Sequence, residues 1–136
     1  MRLLLVDDDR SLLELIQVTF DEVDAEITGV DSTQAARRSI ADERPDVIVL
    51  DVMLPGESGL DLCRELKADP ETAGIPIVLL SGSIELAPRQ ATEAGADAFL
   101  AKCRDGYRLV IDNETYREMV EQGVAPSERP GNLLTL

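Results

Sequence analysis

The chain has 136 residues, 44% apolar and 29% charged, which is enough for the core of one domain and too evenly mixed for a disordered chain. Its formal charge is −14, with 27 acidic residues against 13 basic ones and no histidine. That balance repels nucleic acid and anionic membrane surfaces and favours cations, and the missing histidine excludes Ser-His-Asp and Cys-His nucleophile chemistry and His-ligated zinc.

The opening run Leu3-Leu4-Leu5-Val6 is all apolar, as suits a strand buried on both faces of a parallel sheet. It is too short for a signal peptide or a membrane span, and acids follow at once, so the sequence reads as cytoplasmic. A helix over about Ser11 to Phe20 turns Leu12, Leu15, Ile16, Thr19 and Phe20 to one face. Glu26 to Val30 is a second, more polar strand suited to a sheet edge. Asp31 or Ser32 caps a helix from about Thr33 to Ala41. Pro45 breaks the chain, and Val47-Ile48-Val49-Leu50 is a third, buried strand. Leu54 to Gly59 is a loop, and the helix after it carries Leu62, Cys63 and Leu66 inward. Ile75 to Leu80 is a fourth strand, with Pro76 tolerated only near its start. Ala87 to Ala94 is a short helix stopped by Gly95, and Ala98 to Ala101 is a fifth strand.

Strand and helix thus alternate five times. The pattern predicts an α/β fold, a doubly wound five-stranded parallel sheet of flavodoxin-like type with strand order 2-1-3-4-5. Cys63 and Cys103 form no CxxC pair and are read as reduced thiols, with Cys63 in the core.

The residues that follow the strands carry the chemistry. The first strand ends at Asp7-Asp8-Asp9, the third at Asp51, the fourth at Ser81-Gly82 and the fifth at Lys102. In a doubly wound sheet, ligands bind outside the carboxyl ends of the strands, where the strand order reverses. All these groups therefore meet on one edge. Crowded carboxylates raise one another's pKa, and a divalent cation relieves them. Mg²⁺ suits a few carboxylates with water and phosphoryl oxygens. A carboxylate can attack phosphorus to give an acyl phosphate. Lys102 and the Ser81 hydroxyl would then share the equatorial oxygens with the metal. Asp9 is read as the cap of the first helix.

Val6-Asp7-Asp8-Asp9, Ile48 to Gly59 around Asp51, Val78 to Gly82 and Gly95 to Lys102 together resemble the receiver domains of bacterial response regulators, over about residues 2 to 103. The resemblance implies that Asp51 is the phosphoacceptor and that Asp8 binds Mg²⁺ directly, with Asp7 acting through water. It implies that the Met53 backbone carbonyl completes the metal site. Ser81 is then the switch hydroxyl, Lys102 the phosphoryl-binding lysine and Phe99 the switch aromatic. The implied partner is a sensor histidine kinase or histidine phosphotransfer protein. Output would pass through the face of the fourth helix, fifth strand and fifth helix, with a homodimer as one use of that face. No contact with nucleic acid or membrane is expected of this chain. The domain takes up residues 1–123, and 124–136 form a linker or docking tail.

Other readings of the same residues fare worse. A flavodoxin-like cofactor binder would hold phosphate in its first loop, which Asp7-Asp8-Asp9 would repel. An aspartyl-nucleophile phosphohydrolase needs a second acid two residues after the first, and that position is Met53. A receiver-like binding module that is never phosphorylated would be expected to lack Asp51, an acid of the pair or Lys102.

The sequence departs from the receiver pattern in three places. Cys103 stands where the family usually has proline, often with a cis bond, so the loop there is expected to take another shape. Met53 and Ser83 are uncharged and give an attacking water no acid–base help. The acyl phosphate is therefore expected to be long-lived or to depend on a partner phosphatase, and a shorter lifetime in Met53→Asn would support this. Finally, Tyr107-Arg108-Leu109-Val110-Ile111 reads as β-prone where a long helix is expected, though a continuous helix from about Arg104 is the alternative. Asp112 or Asn113 then caps a short helix to about Gln122. Leu133 to Leu136 either begin a further domain or pack on this one.

Overall fold

The computed structural model describes residues 1–19, 25–81, 88–103, 106–111 and 133–134. In chain order the elements are β1 (Arg2–Val6), α1 (Arg10–Thr19), β2 (Glu26–Val30), α2 (Thr33–Asp42), β3 (Val47–Asp51), β4 (Met53–Leu54), β5 (Glu57–Ser58), α3 (Gly59–Ala68), β6 (Ile77–Ser81), α4 (Pro88–Glu93), β7 (Ala98–Cys103), β8 (Gly106–Ile111) and β9 (Leu133–Leu134). The main sheet runs β2-β1-β3-β6-β7-β8-β9. Its first five strands are parallel, in the order expected. The polar strand β2 lies at one margin.

Alternation along each strand divides the core between two faces. Leu4, Val6, Ile48, Leu50, Ile77, Leu79 and Phe99 pack with Ala36 of α2, with Leu62, Cys63 and Leu66 of α3 and with Ala91 of α4. Leu3, Leu5, Leu80 and Leu100 pack with Leu12 and Ile16 of α1 on the other face. The continuous apolar runs follow from this, since both faces of the central strands are covered.

Helix ends follow their local chemistry. At α2 the Ser32 Oγ accepts from Ala35 N at 3.1 Å, so Ser32 rather than Asp31 is the cap. After α4, Gly95 has φ +85, and Ala96 N donates back to Ala91 O. A residue with positive φ in that place closes a helix, and glycine takes it without strain.

Several expectations need correction. Leu15 is exposed at 38%, and Leu13 packs against the second core face in its place. The Leu13 side chain covers Gly29 of β2, where an added Cβ would meet it at 2.6 Å. Phe20 lies outside the described residues. The fourth strand starts at Ile77, not Ile75, because Pro76 has no N–H for the ladder; its carbonyl instead accepts from Ile48 N. The stretch read as a loop after Asp51 holds a small antiparallel hairpin, β4 with β5, turned by Pro55 and Gly56. Gly56 has φ +68, in keeping with a type II turn.

The fifth parallel strand runs on to Cys103 and pairs antiparallel with β8, with Lys102 opposite Tyr107 and Cys103 opposite Gly106. The β-prone reading of Tyr107 to Ile111 holds, and the continuous helix from Arg104 does not. Leu133-Leu134 pairs with β8, so these residues add to this sheet. The helix from Asp112 or Asn113 to Gln122 lies outside the described residues.

Candidate functional site

Strand register fixes the backbone of the site. Val6 pairs with Leu50, so Asp7 and Asp51 leave adjacent strands at the same level. Asp51 pairs with Leu80, and Ser81 pairs with Ala101, one residue before Lys102. Asp7, Asp51, Ser81 and Lys102 therefore lie within two rungs of each other along the carboxyl edge. The structure describes the backbone of Ser81 and Lys102, and Ser83 lies outside the described residues.

Local contacts hold the acids. Asp7 N donates to Val30 O at 2.9 Å, and Asp7 Oδ1 accepts from Asp9 N at 2.8 Å. Asp9 turns the other way: its Oδ1 accepts from Ser11 N at 2.9 Å and Leu12 N at 3.4 Å, so it caps α1 as read from the sequence. Asp51 Oδ1 accepts from Met53 N at 3.0 Å, which brings the Met53 backbone beside the carboxylate. The Met53 side chain is itself 68% exposed. Phe99 is buried in β7, next to Leu79.

Asp7, Asp8 and Asp51 each offer a carboxylate oxygen, and the three oxygens lie within 4.8 Å of one another. Burial raises the Asp7 carboxyl to about 6, and the negative charges of Asp51, Asp8 and Asp9 add to the rise against the Asp9 N–H, which lowers it. Three hard oxygen donors at one point, one of them holding its proton too tightly, are chemistry that a divalent cation of the Mg²⁺ kind relieves. An open groove between α1 and β2, lined by Asp7, Asp8, Asp9, Leu13 and Val30, leads away from this cluster.

Two residues of the site escaped sequence reasoning. Gly59 N donates to Val52 O at 2.8 Å, and a Cβ on Gly59 would stand 2.0 Å from Asp51 O. Only glycine lets the start of α3 approach the Asp51 backbone this closely. Its place after a Pro-Gly turn was a signal, but the close neighbour was invisible. Glu57, read as a loop residue, reaches the start of α2 at Thr33. Nothing local links positions 57 and 33, which are 24 residues apart.

The geometry is that of a parallel α/β domain with an acidic cluster at the carboxyl edge of its sheet, and comparison with known proteins gives its family. The model of the response regulator receiver domain matches residues 3–112. The chain belongs to the response regulator receiver family, a signalling component of two-component systems. It is 41% identical over 101 residues to the phosphate regulon transcriptional regulatory protein PhoB of Pseudomonas aeruginosa, covering 74% of this chain and 44% of that one. It is 38% identical over 145 residues to the DNA-binding response regulator MtrA of Mycolicibacterium smegmatis, covering 98% of this chain and 61% of that one. Among solved structures it is similar to the BeF3-activated N-terminal receiver domain of RstA from Klebsiella pneumoniae, with TM-score 0.67 and 26% identity, covering 90% and 97% of the two chains.

The chain spans less than half the length of PhoB. MtrA is named as a DNA-binding protein, so the expectation of no nucleic-acid contact, drawn from charge, draws no support from these relatives. Among the described residues no helix is long and apolar enough to cross a membrane.

Proposed function

We propose that this receiver domain is a phosphorylation-dependent switch that accepts a phosphoryl group on Asp51 in the presence of Mg²⁺. The observation that carries the reading is the meeting of Asp7, Asp8 and Asp51 from two adjacent strand ends, three carboxylate oxygens within 4.8 Å. Asp8 and Asp51 would hold the ion directly, with the Met53 carbonyl, and Asp7 through water. Bound Mg²⁺ supplies positive charge that offsets the clustered carboxylates and the phosphoryl oxygens.

The phosphoryl donor is a phosphohistidine on a sensor histidine kinase or histidine phosphotransfer protein, since this chain has no histidine of its own. An Asp51 carboxylate oxygen bonds to phosphorus as the bond from phosphorus to the donor nitrogen breaks. The imidazole leaves and takes up a proton. Asp51 Oδ1 is oriented by the Met53 N–H. Lys102 binds a phosphoryl oxygen as a point charge and Ser81 donates its hydroxyl to another. Drawing Ser81 toward the phosphoryl group lets Phe99 repack, which biases a two-state equilibrium. The domain assists its own phosphorylation and is not otherwise an enzyme.

Output goes to a partner protein or domain, or to a second copy, through the surface around α4 and β7. The helix expected to complete that face falls outside the described residues, and β8 flanks β7 instead. Residues 1–123 form the receiver and 124–136 a tail that docks on its sheet, in keeping with the pairing of Leu133-Leu134 with β8, in a cytoplasmic protein.

Acetyl phosphate with Mg²⁺ tests this. Intact mass should rise by one phosphoryl group in wild type, and should not rise with EDTA or in Asp51→Asn. A folded wild type that gains no mass would overturn the reading and favour a binding module that is not phosphorylated.

A further inference from the structure

One polar network outside the acid cluster joins elements that the sheet does not join. Glu57 Oε2 accepts from Thr33 N at 3.0 Å, and Glu57 Oε1 accepts from Thr33 Oγ1 at 2.8 Å. Thr33 is 6% exposed and is the buried polar residue of the described core. Its N–H is one of those a helix start leaves without a partner in the helix. Ser32 satisfies Ala35 N, and Glu57 reaches across from β5 to satisfy Thr33 N. Arg37 Nη1 then donates to Thr33 Oγ1 at 3.3 Å, and the same guanidinium forks onto Glu65 of α3 at 2.7 and 3.0 Å. The run Glu57–Thr33–Arg37–Glu65 ties α2 to α3 and to the hairpin before it.

That hairpin needs an outside hold. Its ladder has two rungs, Met53 with Ser58 and Leu54 with Glu57, and a pair of strands that short is not stable alone. Glu57 is one rung from Met53, and Met53 N is the donor to Asp51 Oδ1. Whatever fixes Glu57 therefore helps fix the segment that orients the Asp51 carboxylate.

We infer that Glu57 is a positioning residue for cation binding at Asp7, Asp8 and Asp51, acting through its two-point grip on Thr33. The inference rests on the site reading above and adds the device that holds its hairpin side in register with α2. Partners that orient a metal site from behind typically matter to affinity by about tenfold or more.

Titration calorimetry with Mg²⁺ on the intact chain tests it, using Glu57→Ala, Thr33→Val, Thr33→Ser and the double variant Glu57→Ala/Thr33→Val, with circular dichroism to check folding. Glu57→Ala should bind about tenfold more weakly, and Thr33→Val, which loses the hydroxyl bond but keeps the N–H bond to Glu57, should weaken binding by a smaller factor. Thr33→Ser, which keeps the hydroxyl and N–H, should bind like wild type. The double variant should be no weaker than Glu57→Ala, because the bond that Thr33→Val removes is one of the two that Glu57→Ala already removes. Weak binding in Glu57→Ala with normal binding in Thr33→Val would overturn the two-point grip. Normal binding in both would reduce the contact to a helix cap. Should Glu57→Ala fail to fold, Thr33→Val with its serine control carries the same decision. A wild type that binds no Mg²⁺ would overturn the site reading itself, whereas binding that is lost in Asp8→Asn keeps that reading whichever way the grip falls.

Discussion

The fold alters the ionisation of Asp7, chiefly by burial, with the charges of neighbouring acids adding to it. Its carboxyl rises from the ordinary 3.8 to about 6, so between those values the folded chain holds a proton that the unfolded chain has released. Without metal, stability from this group is complete below about pH 4 and is lost as pH rises through about 6. Solvent screening limits the loss to about 1 kcal/mol. Urea midpoints of the metal-free protein should fall over that range in wild type, and the fall should shrink in Asp7→Asn. Gly59 makes the second prediction at this scale. In Gly59→Ala the new Cβ meets the Asp51 carbonyl, which is backbone and cannot swing away. The cost should be about 3 kcal/mol in denaturant unfolding. A change below about 0.5 kcal/mol would show that α3 starts farther from Asp51 than described. The acids were legible in the sequence because strand ends and carboxylates are both local signals. Gly59 and Glu57 were not, because their reasons lie in neighbours that only the fold brings near.

Elements at the opposite, amino-terminal edge of the sheet are joined by Lys67. Its Nζ donates to Ala73 O at 3.2 Å, Ile75 O at 2.8 Å and Asp97 Oδ2 at 2.8 Å. Asp97 Oδ2 also accepts from Ile77 N, so one charge pair gathers the end of α3, the start of β6 and the turn before β7. The Lys67 side chain is only 17% exposed. Lys67→Met keeps the apolar stem and leaves these acceptors without their donor, and should cost about 2 kcal/mol of stability in chemical unfolding. Mg²⁺ affinity should stay unchanged, since the site is at the other end of the strands; a parallel loss of affinity would mean that the two edges are coupled. Period and composition made most elements legible. The exceptions have physical causes. Leu13 and Leu15 flank the Leu12 and Ile16 stripe of α1 on opposite sides, and which of them finds a neighbour is a tertiary fact, since Leu13 lies over Gly29. The β-prone run at Tyr107 was visible, but its antiparallel pairing with β7, with Cys103 opposite Gly106, is a tertiary choice that strand propensity alone does not encode.

At the scale of the whole molecule, one sheet does two jobs. Its two apolar faces hold the core, and its carboxyl edge gathers acids from strands that are neighbours in space and 44 residues apart in sequence, as Val6 and Leu50 are. The sheet then continues past the five parallel strands into β8 and β9, where the receiver pattern led us to expect a helix. The switch reading depends on the first job feeding the second, since Asp51 stands at the end of a core strand and any charge added there presses on its packed neighbours. That claim is tested most directly by locating the phosphoryl group. After acetyl phosphate and Mg²⁺, borohydride reduction converts an acyl phosphate to an alcohol, and tandem mass spectrometry of the peptides reads which residue changed. We predict reduction at Asp51 alone. Reduction at Asp7 or Asp8, or at no residue in a folded protein, would contradict the account.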